Sequence, residues 1–302
     1  MSLSDDLRNE LAAIAPRQEC DRLAELSGLF HAAGTVHLRG RGEIAVHLDL
    51  ASSAVARRAF SLLRGFGVES EIRTYRRRAF DRETRYQLHV AGGPHAVQVL
   101  HEAGVLTAAL APLERPPKRV VARSCCRAAY LRGALLGAGS LSGPRSPHLE
   151  LRAATVEGAE FLAGLAASEG VRLAVADRDR HAVAYAKGAE AIADALAAAG
   201  ASNAVLVLEE RAVIGATRAA ANRLANADHA NLVRTGRAAH QQLRALHRLD
   251  LDALPPQLRE IADLRLRHPT LSLRELALRC DPPATKSVAH RRLQRLVRLA
   301  RL

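Results

Sequence analysis

The chain has no tryptophan, an aromatic content of 3%, and only three lysines among its 44 basic residues, Lys118, Lys187 and Lys286. With so few rings, its cores must be built from Ala, Leu and Val, which favours close helix packing. An arginine bias in so alanine-rich a chain fits the nucleotide composition of a source genome as well as selection for binding. No apolar run of ~20 residues is uninterrupted, since Arg, Asp or His breaks each candidate, so no bilayer-crossing helix is expected. The N-terminus MSLSDDLRNELAAIAP is polar and acidic where an export signal would be basic and then apolar. Cys20, Cys125, Cys126 and Cys280 form no C-x-x-C pair and have no histidine cluster at zinc spacing. They are expected as reduced cytosolic thiols, with no bound metal and no cofactor. Hydrophobic and charged fractions of 48% and 25% exclude wholesale disorder and a collagen-like fibre.

What is present is a strongly localised charge. A length of 302 residues predicts about two domains, at roughly 100 to 200 residues each. Residues 211–302 hold 18 basic and 7 acidic side chains, whereas residues 1–210 hold 26 and 24, so nearly all of the net +13 belongs to the last third. A basic surface confined to one module is the footprint of a polyanion binder; a solubility bias is the plainer alternative.

The first two thirds repeat themselves. Cys20-x5-Leu26-x-Gly28 is answered by Cys125-x5-Leu131-x-Gly133, His47-Leu-Asp-Leu50 by His148-Leu-Glu-Leu151, and Gly67-Val68 by Gly170-Val171. Offsets of 105, 101 and 103 drift only as loop lengths would. Each copy, about 20–108 and 123–205, predicts helix, two strands, helix, two strands, helix. Leu23, Leu26, Leu29 and Phe30 have helical spacing, and Gly34 is expected to end that helix in a left-handed conformation. Ile44, Val46, Leu48 and Leu50 alternate as in a half-buried strand. Ser52-Ser53 can cap the next helix, and Val68–Tyr75 with Tyr86–Val90 predict a hairpin carrying Arg76-Arg77-Arg78 near its turn. In the second copy the predicted strands fall near 148–152, 171–176 and 181–186. Small residues four apart, Gly28 and Ala32, Gly133 and Gly137, mark two helices that can pack against each other across a pseudo-twofold axis, with the sheets flanking it as a saddle.

Leu26-Ser-Gly-Leu-Phe-His-Ala-Ala-Gly34 and Leu131-Arg-Gly-Ala-Leu-Leu-Gly-Ala-Gly139 resemble the nine-residue signature of LAGLIDADG homing endonucleases. The resemblance implies an acidic residue at the eighth position of each signature, holding divalent metal at the scissile phosphates. Those positions are Ala33 and Ala138, and a methyl cannot ligate metal. Glu25 and Asp49 are the acidic residues that could substitute, but neither stands at the helix end. The expectation is a nuclease scaffold without catalytic residues, kept for binding.

Residues 217–250 are helical in pattern and rich in amides. Asn226, Asn231 and Arg234 fall near one face, with reach for phosphate or sugar; equally, they can cross-link a helical linker. From Pro255 a three-helix module follows: a helix with Leu258, Ile261, Leu264 and Leu266 inward, a short helix with the Ser272/Glu275 capping box, and a last helix capped by Thr285. There Ala289, Leu293, Leu296 and Ala300 form an inward stripe, leaving Lys286, Ser287, His290, Arg291, Gln294, Arg295 and Arg298 outward. A short helix, a tight turn and a basic third helix suit a helix-turn-helix whose last helix offers donors to a major groove. For any one arginine, a solvated face is the commoner fate.

The order of parts narrows the resemblance. Asn226-x4-Asn231-Leu-x-Arg-Thr235, then Leu271-Ser-Leu-Arg-Glu-Leu276, Pro282-Pro283 and Lys286-Ser287 resemble the WhiA family of bacterial sporulation and cell-division regulators over nearly the whole chain. Ala227-Asp228 and Val288-Ala289-His290-Arg291 depart from the family pattern, the latter inside the reading helix. The resemblance implies an α+β fold: a duplicated LAGLIDADG-like domain of two αββαββα units, then an all-α helix-turn-helix domain. Expected boundaries are 1–19 for an N-terminal helix, 20–210, 211–253 for an Asn-rich helical linker, and 254–302. It further implies a non-enzymatic, cytoplasmic, nucleoid-associated regulator of cell-division, chromosome-segregation or sporulation genes. Its implied partners are double-stranded promoter DNA and, among proteins, RNA polymerase or a second transcription regulator. An active or nicking endonuclease and an RNA-binding or nucleoid-architectural protein are the competing classes.

Overall fold

The structure, a computed structural model, describes residues 2–40, 43–76, 84–143 and 146–301. It divides into two compact units, Met1–Gly215 and Ala216–Leu302.

The first unit opens with α1 (Leu3–Ala13), whose N-terminus carries a reciprocal Ser2/Asp5 capping box. Two copies of one pattern follow. The first is α2 (Glu19–Ala33), β1 (Gly34–Gly40), β2 (Glu43–Leu50), α3 (Ser53–Gly65), β3 (Ser70–Arg76), β4 (Thr84–Ala91) and α4 (Pro94–Glu102). The second is α5 (Ser124–Ala138), β5 (Gly139–Ser142), β6 (His148–Ala153), α6 (Val156–Ala167), β7 (Ala174–Arg178), β8 (His181–Lys187) and α7 (Ala189–Ala199). The expected αββαββα duplication is therefore present, with β7 beginning three residues later than its apolar pattern predicts. Each copy makes one antiparallel sheet, ordered β1-β2-β4-β3 and β5-β6-β8-β7. Period-two alternation sorts the strand faces: Val46, Leu48, Leu50, Leu88 and Val90 are buried, while His47, Asp49, Gln87 and His89 share the other face. Arg76 ends β3 exposed; Arg77 and Arg78 of the expected basic turn lie outside the described residues.

Helices α2 and α5 are the centre of this unit. Every residue from Ala24 to Phe30 is buried, as is every one from Ala129 to Leu136, which is the state of a helix enclosed on all sides. The approach is possible because side chains are missing. A Cβ on Gly28 would stand 2.2 Å from the Tyr130 carbonyl oxygen, and one on Gly133 would stand 2.2 Å from that of Glu25. Gly34 departs from expectation: its backbone is extended (φ −84°, ψ 147°), not left-handed. It is glycine because α2 runs directly into β1, and a Cβ there would lie 2.4 Å from the Phe30 carbonyl oxygen. Gly139, its counterpart after α5, repeats the conformation and the crowding.

Polar contacts tie the remaining parts to this pair. Glu25, fully buried, accepts from Arg58 Nε at 2.6 Å and from Arg132 Nε at 2.9 Å, and Arg132 also donates to the Ala199 carbonyl at 3.2 Å. One carboxylate thus links α2 and α3 of the first copy to α5 and the end of α7 in the second. Glu10 of α1 accepts from the amides of Asn203 and Ala204, satisfying donors at the start of α8 (Ser202–Leu246). Among the described residues no helix is long and apolar enough to cross a membrane.

The second unit holds the remainder of α8, then α9 (Pro256–Arg267), α10 (Leu273–Leu278) and α11 (Lys286–Leu299). Since α8 is a single helix, no element ends at residue 210, where the sequence pattern places a boundary. The core of this unit is Leu246, Leu258, Ile261, Ala262, Leu276, Ala277, Cys280, Ala289, Leu293 and Leu296. Arg265, only 2% exposed, donates from Nη1 to the Leu271 carbonyl at 2.7 Å and so fixes the turn between α9 and α10. Nothing in the sequence pattern distinguishes it from its solvated neighbours.

Paired glycine substitutions test the helix approach. Gly28→Ala is expected to lower the unfolding free energy by about 2 kcal/mol or more, because backbone must move. Gly164→Ala, inside α6 with no atom within 4 Å of the new methyl, should leave stability unchanged or raise it by about 0.5–1 kcal/mol. Denaturant unfolding of both variants checks this, and equal effects would contradict the tight approach.

Candidate nucleic-acid interface

Two surfaces compete for the role of interface: the ends of α2 and α5 with the adjoining sheets, and the outer face of α11. Ala33 and Ala138 are the last residues of α2 and α5, so the two signature positions stand at equivalent helix ends. A Cβ on Gly137 would come within 2.8 Å of Ala32 Cβ and 3.4 Å of Ala33 Cβ, so these ends abut. Neither alanine side chain offers an oxygen. Glu25 cannot substitute: it lies eight residues back, ~12 Å along the helix, with both oxygens held by Arg58 and Arg132. Asp49 sits on the sheet, where it accepts the Tyr75 hydroxyl at 2.7 Å.

Some cations on the strand faces have acidic neighbours, whereas Arg76 of β3 and Arg152 of β6 are exposed and form no ion pair among the described residues. Arg73 pairs with Glu71 at 2.8 Å, and Glu150 takes both His148 at 2.8 Å and Arg178 at 3.3 Å. Lys187 instead lies over the Tyr185 ring, 5.3 Å from its centroid. Beside the C-terminal end of α2 is a cavity of about 380 Å³ lined in part by His31, Tyr130, Arg152 and Thr155. Its His31 ring is 5.9 Å from the Tyr130 ring, and Tyr130 meets Phe161 edge-on at 5.5 Å. Loss of hydration pulls the His31 pKa down to about 4.

Helix α11 turns a continuous polar and cationic face outward. Thr285 caps it by accepting from the Val288 amide, and Ala289, Leu293 and Leu296 are completely buried. Lys286, Ser287, His290, Arg291, Gln294, Arg295 and Arg298 are all exposed, as the stripe predicts. At ~100° per residue they fill about half the helix circumference, opposite the buried stripe. Among the described residues Lys286, Arg291, Arg295 and Arg298 form no ion pair, whereas Arg292, at the edge of the core, pairs with Glu260 at 3.6 Å. Ala300 is the C-cap and only partly buried, so the inward stripe closes at Leu296. The capping box of α10 is present, with Ser272 and Glu275 serving each other's amides.

The amide-rich segment lies within α8 with Asn226, Asn231 and Arg234 exposed. Arg234 donates to Asn231 Oδ1 and to the Ala230 carbonyl, a cross-link along one helix that occupies part of its donor capacity. Sequence spacing missed one constellation altogether. Cys20, Cys125 and Cys126 are not scattered: with Asp21 they gather where α2 and α5 begin, their ligand atoms within 4.8 Å of one another. The 105-residue separation of Cys20 from Cys125 hides this, and the only signal was that the repeat aligns the two.

A duplicated LAGLIDADG-like α+β domain with alanine at both signature acid positions, followed by a helix-turn-helix module, defines the class of protein. Three family models match in succession: the WhiA N-terminal LAGLIDADG-like domain over 19–106, the WhiA LAGLIDADG-like domain over 127–218 and the WhiA C-terminal HTH domain over 221–300. The chain belongs to the WhiA family. It is 35% identical over 306 residues to the probable cell division protein WhiA of Heliobacterium modesticaldum, covering 99% of this chain and 96% of that one. With its namesake in Symbiobacterium thermophilum it shares 36% over 308 residues, 99% and 98% covered. The fold matches the crystal structure of full-length DUF199/WhiA from Thermatoga maritima with a TM-score of 0.59 at 22% identity, over 100% of this chain and 98% of that one.

The environment of His31 has a pH consequence. Its folded pKa, about 4, is below the ordinary 6.5, so the unfolded chain takes up the proton first. Stability is expected to be intact above pH 6.5 and to fall by roughly 2–3 kcal/mol as pH drops toward 4. Denaturant unfolding between pH 7 and pH 4 should show a shallower slope for His31→Gln than for the parent; identical slopes would contradict it.

Proposed function

We propose that this protein is a sequence-specific DNA-binding transcription regulator of cell-division, chromosome-segregation or sporulation genes, and that its LAGLIDADG-like unit does not cut DNA. The observation that carries the reading is the cationic outer face of α11 in a helix-turn-helix, where Lys286, Arg291, Arg295 and Arg298 are exposed and form no ion pair among the described residues. The names of its relatives support the biology. Nucleoid association and contact with RNA polymerase or a second regulator follow from the same reading, with the first unit available for protein contacts.

Along α11, roles divide by depth. Lys286 and Ser287 occupy the first turn, where the positive dipole end and free amides favour phosphate, so they position the module on the backbone. His290 and Arg291 stand one turn further, where side chains of a recognition helix reach base edges, and arginine can bind guanine through two donors. Gln294, Arg295 and Arg298 extend the contact along the groove, and Asn226, Asn231 and Arg234 contribute backbone contacts from α8.

Competition binding on a genome-mapped site and on scrambled DNA tests this assignment. Arg291→Ala should reduce the preference for the site by roughly 5- to 100-fold, corresponding to ~1–3 kcal/mol. Lys286→Ala should weaken both DNAs about equally. If the preference survives Arg291→Ala and is abolished by changes on the strand faces, reading belongs to the first unit and the assignment fails. Incubation of the protein with duplex DNA and Mg²⁺ or Mn²⁺ should give no strand breaks; EDTA-sensitive cleavage mapping to residues 1–210 would overturn the non-enzymatic reading.

A further inference from the structure

The paired helices have a second end. Thirteen residues, ~20 Å, separate Cys20 from Ala33, so the first turns of α2 and α5 are remote from the signature positions. Here the thiols of Cys20, Cys125 and Cys126 meet the Asp21 carboxylate, with one ligand atom from each inside a 4.8 Å cluster. The arrangement follows the duplication: the offset of 105 carries Cys20 onto Cys125 and Asp21 onto Cys126, so each helix supplies two adjacent ligands.

We propose that this cluster is a structural site for a soft divalent cation of the zinc class, held by three thiolates and one carboxylate. Zn–S and Zn–O bonds of about 2.3 and 2.0 Å in a tetrahedron require ligand separations of about 3.8 Å between two sulfurs and about 3.5 Å between sulfur and oxygen. Cys125 Sγ and Cys126 Sγ are 3.9 Å apart, and Cys20 Sγ is 3.6 Å from Asp21 Oδ1. The two adjacent pairs therefore already span opposite edges of a zinc-sized tetrahedron. Closing the other four edges takes small side-chain rotations.

Chemistry and surroundings agree with the geometry. Three sulfurs among four ligands select zinc-class ions over Mg²⁺ or Ca²⁺, which prefer oxygen. Four protein ligands leave no open coordination position, the mark of a structural rather than a catalytic site. Two helix N-termini place positive dipole ends against a ligand set that carries excess negative charge. Cys125 is exposed and Cys126 buried, so an ion can enter from one side and be shielded on the other. The Gln18 side-chain amide, 3.5 Å from Cys20 Sγ and 4.0 Å from Cys125 Sγ, lies over the mouth, where a turned NH₂ can donate to thiolate. Because ligands come from both copies, the ion would clamp the first turns of α2 and α5 and bind only the folded unit.

The test uses full-length, fully reduced, metal-free protein titrated with Co²⁺ and then Zn²⁺. One equivalent of Co²⁺ should produce thiolate-to-cobalt charge transfer and intense tetrahedral d–d bands, both removed by one equivalent of Zn²⁺. Cys20→Ser and Cys125→Ser should lose the charge-transfer band, while Cys280→Ser, whose thiol belongs to the second unit, retains it. Zinc should also raise the unfolding temperature of the parent and leave that of Cys20→Ser unchanged. Absence of the bands in the reduced parent protein overturns the site, whatever the variants do. So do bands that persist in both serine variants, or a Cys20–Cys125 disulfide in protein that binds no metal when reduced.

Discussion

Contact between α2 and α5 is the constraint on which the first unit depends. The helices approach until the backbone of one touches the Cα of the other, at Gly28 against Tyr130 and at Gly133 against Glu25. Such proximity leaves no room for side chains between the backbones, and stabilisation comes from dispersion across a closely packed surface and from the apolar residues enclosing it. Glu25 reinforces the same contact. A carboxylate at the centre of an apolar helix pair would be strongly destabilising alone, but Arg58 and Arg132 reach it from different copies and make its burial tolerable.

From this pair outward, the unit is built twice. Each helix runs without a loop into the first strand of its sheet, and the glycine at the junction exists because the preceding carbonyl crowds the Cβ position. The helix ends are consequently placed with little freedom. At one end stand Ala33 and Ala138, where a nuclease of this architecture would hold metal; at the other stand three thiols and a carboxylate. The scaffold juxtaposes side chains from two copies at each end, and the residue types there decide which chemistry each end can support.

The helix-turn-helix unit obeys a different economy of contacts. Its core is small and almost wholly aliphatic, and its turn geometry is secured by Arg265, whose guanidinium is buried and spends a hydrogen bond on the Leu271 carbonyl. Burial lowers the pKa of Arg265, yet an arginine stays charged at any physiological pH, so the bond to that carbonyl is a charge-assisted one. With the turn fixed, Leu293 and Leu296 set the rotation of α11 and hence the direction of its outward cations.

Much of this was legible in the sequence. Helical and alternating apolar periods, the Ser52, Ser272 and Thr285 caps, the repeat at 101 to 105 residues and the stripe of α11 are local patterns, and local patterns specify elements and their inward faces. Glycine at 28 and 133 announced both the close approach and the pairing of the two helices. What tertiary structure alone decided was coincidence in space: that Gly34 is required by crowding and not by a left-handed turn, that Glu25 is matched by arginines 33 and 107 residues away, that Arg265 is a buried brace, and that Cys20 faces Cys125. Periodicity encodes which side of an element turns inward, but not which distant residue it meets there; that depends on how two copies of one pattern close around a shared axis.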